Sequence, residues 1–109
     1  RRLALGLAAG LAAAAVAAGG AQAADIKAGE AVFNNICAAC HAGGQNLVVS
    51  EKKLSKDAFS KFGVKDVNYV KAIIAGGQNA MPPLGQVLSA TEIDNVASYV
   101  MSQTEKNWS

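Results

Sequence analysis

The chain has 109 residues, 51% of them hydrophobic, and a formal net charge of +2. That length allows one small domain once a targeting segment is set aside, and so weak a charge gives no basis for nucleic-acid binding. Two cysteines and one histidine are too few for a structural zinc site, which takes four such ligands.

The chain opens with "RRLALGLAAGLAAAAVAAGGAQA": two arginines, an apolar stretch over 3–18, and Ala21-Gln22-Ala23. A charged start, an apolar middle and an A-x-A site are the parts of a secretory signal, so cleavage after Ala23 is expected, with export of residues 24–109. The alternative, a membrane anchor, needs about 20 strongly apolar residues, and this stretch is shorter and rich in Ala and Gly. Arg1-Arg2 also allows a twin-arginine signal. Two arginines are common in any such charged start, so the ordinary secretory route is favoured. Cleavage removes both arginines and leaves lysines and acidic residues in equal number.

After residue 23 the pattern reads as a small all-α domain of four helices, with no strand alternation. The first is expected over 26–36 behind Asp25 as N-cap, with Ile26, Gly29, Phe33 and Ile36 on one face. Gly29 costs such a helix about 1 kcal/mol against Ala, which close approach of another helix would explain. The second is expected after Ser55 and ends at Gly63. The third starts at Asp66, carries Val67, Val70 and Ile74 on one face, and stops at Gly76-Gly77. The last starts at "SATE", where Ser89 and Glu92 form a capping box, and runs with Ile93, Val96, Ala97 and Val100 to about residue 103. Four short helices give a thin core, so something else should fill the middle.

Both cysteines and the histidine fall within "CAACH", residues 37–41. C-x-x-C-H is the attachment signature of c-type haem. Two thiols one helical turn apart, Cys37 and Cys40, reach the two vinyl groups of a porphyrin and form thioethers. His41 then faces the iron. A thioredoxin-like dithiol would want a βαβ context, which is missing here. Burying ~400 Å² of macrocycle is worth roughly 10 kcal/mol, comparable to the net stability of a whole domain, roughly 5–15 kcal/mol.

With one histidine in the chain, the second axial bond needs another donor. Methionine is the usual partner in cytochromes c. Met81 lies in the loop "GGQNAMPPLGQV", where glycines permit close approach and Pro82-Pro83 stiffen the backbone. Met101 lies beside the apolar face of the last helix, where methionine packs. Met81 is therefore the expected ligand. An iron with both axial positions filled carries single electrons and has no site for substrate, so no catalytic residues are expected. A haem-based sensor or ligand-binding module with an open sixth position is the alternative, and a Cys37–Cys40 dithiol enzyme a third.

"ADIKAGEAVFNNICAACHAGGQN", "NAMPPLG" and "IDNVASYV", with Trp108 near the end, resemble the cytochrome c6 family over nearly all of residues 24–109. The resemblance implies a class I cytochrome c fold whose first and last helices cross, with Gly29 and Phe33 meeting Tyr99. It implies one covalent haem c held by Cys37 and Cys40, with His41 and Met81 as axial ligands. It also implies a monomeric carrier in a thylakoid lumen or periplasm. Its donor would be the cytochrome b6f complex, and its acceptor photosystem I or a terminal oxidase. Many photosynthetic members of the family carry Gln eight residues before the ligand methionine, where this chain has Ile73. That resembles divergent c6-like branches and leads to an expected lower reduction potential. Lys52, Lys53, Lys56, Lys61 and Lys65 form either a docking patch or a solvated face.

Overall fold

Asp25 opens α1 (Ile26–Val32) by accepting a hydrogen bond from the Ala28 N–H at 3.0 Å. The computed structural model describes residues 24–109, so the signal expected over 1–23 lies outside the described residues. The helical run does not stop at residue 36. It passes through a π-helical turn, Phe33–Cys37, and resumes as α2 (Ala38–His41). The turn is closed by the Ala38 N–H donating to the Phe33 carbonyl, five residues back. A 100° periodicity cannot register that extra residue. The result is that "CAACH" is built into the end of the first helical run.

Each of the other starts follows its side-chain cap. Ser55 accepts from the Ala58 N–H ahead of α3 (Lys56–Lys61), and Asp66 from the Tyr69 N–H ahead of α4 (Val67–Gly76). At the end of α3, Gly63 donates to Ser60 and Val64 to Phe59, which is the paired bonding of a Schellman motif. α5 (Ala90–Glu105) begins with the expected capping box: Ser89 Oγ accepts from the Glu92 N–H at 3.1 Å, and Glu92 Oε1 accepts from the Ser89 N–H at 2.9 Å. It ends at Glu105, two residues beyond the expected limit. Asn107 and Trp108 follow with φ of 55° and 58°. The left-handed region costs L residues on the order of 1–2 kcal/mol each. The described residues contain no strand, only an isolated pairing of Gln78 with Met81.

α1 and α4 both pack on α5. Ile93, Val96, Ala97, Val100 and Thr104 recur at helical spacing and are buried, Val96 and Ala97 completely. α1 crosses α5 at Gly29, where a methyl group would overlap the Asn95 carbonyl and stand 3.0 Å from Tyr99 Cβ. The buried Asn95 side chain in turn accepts the Asp25 N–H at 2.9 Å. Phe33, Tyr99 and Trp108 form a triangle of rings with centroids 5.2–6.0 Å apart, in the tilted and edge-on geometries that aromatic quadrupoles favour. The first-helix glycine and the crossing of first and last helices are thus as expected.

Replacing Gly29 by Ala should therefore be costly. Overpacking a core takes about 1–3 kcal/mol, and here the obstacle is backbone. A loss at the top of that range is expected in urea denaturation of the holoprotein.

Candidate cofactor site

Between the helices lies a cavity of ≈ 410 Å³, within the size range of cofactor pockets. The π turn and every helix after it contribute apolar walls, among them Phe33 and Ile36, Phe59, Val70 and Ile74, and Val96 and Val100. Cys37, Cys40 and His41 line it from α2 and the π turn, and Met81 and Pro82 from the loop after α4. All four residues expected to hold the haem are thus brought to one cavity. Met101 is partly buried against the core and is not among the lining residues.

The two thiols are not equivalent. Cys37 is half-buried, and burial pushes its thiol above the ordinary cysteine value, whereas Cys40 is exposed. No disulfide joins them. Among the described residues no three His, Cys, Asp or Glu side chains are grouped to hold a bare metal ion.

His41 is oriented by a specific partner, its Nδ1 lying 2.8 Å from the Gln45 carbonyl. A donor at Nδ1 leaves Nε2 as the lone-pair nitrogen, the arrangement that metal-bound histidines use. The sequence located this partner no more closely than the loop after His41. The signal for it is the Gly43-Gly44 pair: both residues are left-handed, with φ of 65° and 81°, and turn the chain back so that the Gln45 carbonyl meets the ring. Asn46 then fixes the rest of the loop. Its Oδ1 accepts from the N–H groups of Val48 and Val49, and its Nδ2 donates to the Lys52 carbonyl.

Met81 closes a turn with Gln78 through two reciprocal backbone bonds of 2.9 and 3.0 Å, and Asn79 takes the left-handed position (φ 52°). A Cβ on Gly77 would come within 2.8 Å of the Met81 carbonyl and 2.7 Å of the Pro83 nitrogen. The close approach this glycine permits is of the Met-Pro-Pro backbone onto the end of α4. Ile73 also lines the cavity. The lysine run is partly matched from within: Lys61 pairs with Glu51 at 3.6 Å and Lys56 lies 4.0 Å from Glu105, all well exposed. Lys52 and Lys61 both lie over the Phe62 ring. Exposed pairs of this kind contribute about 0–1 kcal/mol.

An all-α fold wrapped around an apolar cavity, with a C-x-x-C-H run on one helix, defines the class I c-type cytochromes. Residues 24–100 match the family described as cytochrome C oxidase, cbb3-type, subunit III. Cytochrome c6 of Bumilleriopsis filiformis is 47% identical over 85 residues, covering 78% of this chain and 99% of that protein. The structure of cytochrome c6 from the diatom Phaeodactylum tricornutum superposes with a TM-score of 0.75 at 46% identity, over 77% of this chain and 99% of that one. Cytochrome c6C from Synechococcus sp. PCC 7002 superposes at 0.72 with 34% identity, over 74% and 99%. The chain belongs to the cytochrome c6 family, and with it come a covalently bound c-type haem and the role of electron carrier.

An apolar cavity of this size is unfavourable while empty, because its lining lacks contacts on one side. The doubly substituted Cys37→Ala, Cys40→Ala chain, which cannot attach haem, should be poorly folded. Circular dichroism should show it losing most of the helical signal and the cooperative melt of the holoprotein.

Proposed function

We propose that this protein is a diffusible single-electron carrier whose haem is tethered by Cys37 and Cys40 and held axially by His41 and Met81. The observation that carries this reading is the convergence of a tautomer-fixed imidazole, two thiols one turn apart and one of the two methionines on a single apolar cavity. When bound, the iron exchanges one electron between its ferrous and ferric states. The residues do the rest. The end of the π turn and α2 present both sulfurs and the imidazole on one short stretch, and the Gln45 carbonyl holds the ring in place and strengthens it as a donor. The Gln78–Met81 turn and Pro82-Pro83 hold the thioether on a stiff loop. With the ligands supplied by rigid backbone, little has to move when charge changes.

Leu47 and Val48, 78% and 61% exposed, sit on the loop that follows the histidine, and Val48 and Val49 reach the cavity. This apolar rim is where a partner can approach without stripping water from charges. The electron donor would be the cytochrome b6f complex, and the acceptor photosystem I or a terminal oxidase. That assignment rests on the likeness to cytochrome c6 proteins. Residues 1–23 would act as a signal, delivering a monomer to a thylakoid lumen or periplasm. None of the described helices is long and apolar enough to cross a membrane.

The ligand set is tested by the near-infrared methionine–iron band of the oxidised protein. It should be present in the unsubstituted protein and in Met101→Leu, and lost in Met81→Ala. Its absence from the unsubstituted protein would favour the sensor with an open sixth position. A second measurement concerns Ile73, an apolar side chain on the cavity wall. Redox titration should give a higher midpoint potential for Ile73→Gln, because second-shell polarity and hydrogen bonding set the potential. An unchanged or lower value sinks the expectation that Ile73 makes this a low-potential carrier.

A further inference from the structure

Asn107 and Trp108 both hold left-handed backbone, a geometry that persists in such residues only where the surroundings impose it. The imposing contacts are specific. The Trp108 N–H donates to the Gln103 carbonyl at 2.7 Å, turning the chain back along α5. The indole N–H then donates to the Leu54 carbonyl at 2.7 Å, and Thr104 Oγ1 donates to the same oxygen at 2.9 Å. The five-membered part of the indole lies directly on Gly44, where a Cβ would stand 2.5 Å from Nε1.

Leu54 and Gly44 are themselves joined, the Leu54 N–H donating to the Gly44 carbonyl at 2.7 Å. Gly44 is bonded through the chain to Gln45, whose carbonyl meets His41 Nδ1. The Gln45 N–H has a longer bond, 3.2 Å to the Ala42 carbonyl. A continuous set of short contacts thus runs from the indole, through Gly44 and Leu54, to the oxygen that orients the imidazole. Packing alone does not account for it. A phenyl ring would also fill the space beside Phe33 and Tyr99, but it could not donate to Leu54.

We propose that Trp108 is a positioning residue for the His41 imidazole: by pinning Leu54 and seating on Gly44, it holds the Gln45 carbonyl against Nδ1. This rests on His41 being an axial ligand. The indole is not among the cavity-lining residues, so it acts through the loop and has no need to touch the cofactor.

The test is solvent exchange of the His41 Nδ1–H in the ferrous holoprotein, followed by NMR alongside the α5 amides of Val96 and Val100. Trp108→Phe keeps an aromatic ring over Gly44 and removes the indole donor. Loss of one neutral hydrogen bond should speed Nδ1–H exchange about fivefold through local opening, with the α5 amides unchanged. Thr104→Val, which removes the other donor to Leu54, should give a smaller change in the same direction. Unchanged Nδ1–H exchange in Trp108→Phe overturns the proposal. So does an acceleration shared equally by the α5 amides, which would mark a general loosening. In the unsubstituted protein the His41 ring protons must carry the haem ring-current shift. Without it the ligand assignment falls first and the positioning role with it, a failure distinct from that of the variants.

Discussion

Protein interiors are packed like organic crystals, yet the centre of this domain is a cavity of ≈ 410 Å³ with apolar walls. The π turn and the helices after it line a space suited to a flat cofactor. That constraint leaves α1, which contributes nothing to the cavity wall, to meet α5 directly, backbone against backbone, at Gly29. It also explains why the buried residues are small in number and concentrated on α5. The hydrophobic area that a larger protein would gain from its own side chains comes here from the porphyrin.

The two side chains proposed as axial donors are held in different ways. His41 closes a helical run, and its ring is set by a carbonyl from the turn that follows. Met81 belongs to a short turn clamped by reciprocal backbone bonds and backed by two prolines. The first is tied through Gly44 and Leu54 to the far end of α5. The second is tied to the end of α4, by the close approach at Gly77 and by the Leu84 and Gly85 N–H bonds to the Ile74 and Ala75 carbonyls. In the proposed ligand set, the imidazole would thus be anchored across the fold and the sulfur more locally.

Much of this was legible in the residues. Asp25, Ser55, Asp66 and Ser89 are caps whose chemistry acts within four residues, so each helix start could be read without tertiary knowledge. "CAACH" is equally local, because its three functional groups share one turn. Gly29 was readable as an anomaly that a crossing helix resolves. What escaped was of two kinds. The π turn at Phe33–Cys37 adds one residue to a helix without changing its composition, so periodicity ran past it and the first helix seemed to end early. The Leu54 node joins residues 50 and 54 positions apart in sequence, and neither a leucine carbonyl nor a lone tryptophan advertises such a partner. Gln45 lay between these cases: the glycine pair announced a turn, but which carbonyl it would deliver was decided by backbone geometry.

The hydrogen bond from the Asp25 N–H to Asn95 spans 70 positions, and the helix that opens the described domain packs against the one that closes it. No leading portion of such a polypeptide can settle into its native arrangement until the trailing helix has been synthesised. A ribosome or a translocation pore therefore handles a slack thread for as long as the C-terminal segment is withheld. With thioethers proposed at Cys37 and Cys40, late closure would keep both sulfurs reachable until that helix arrives.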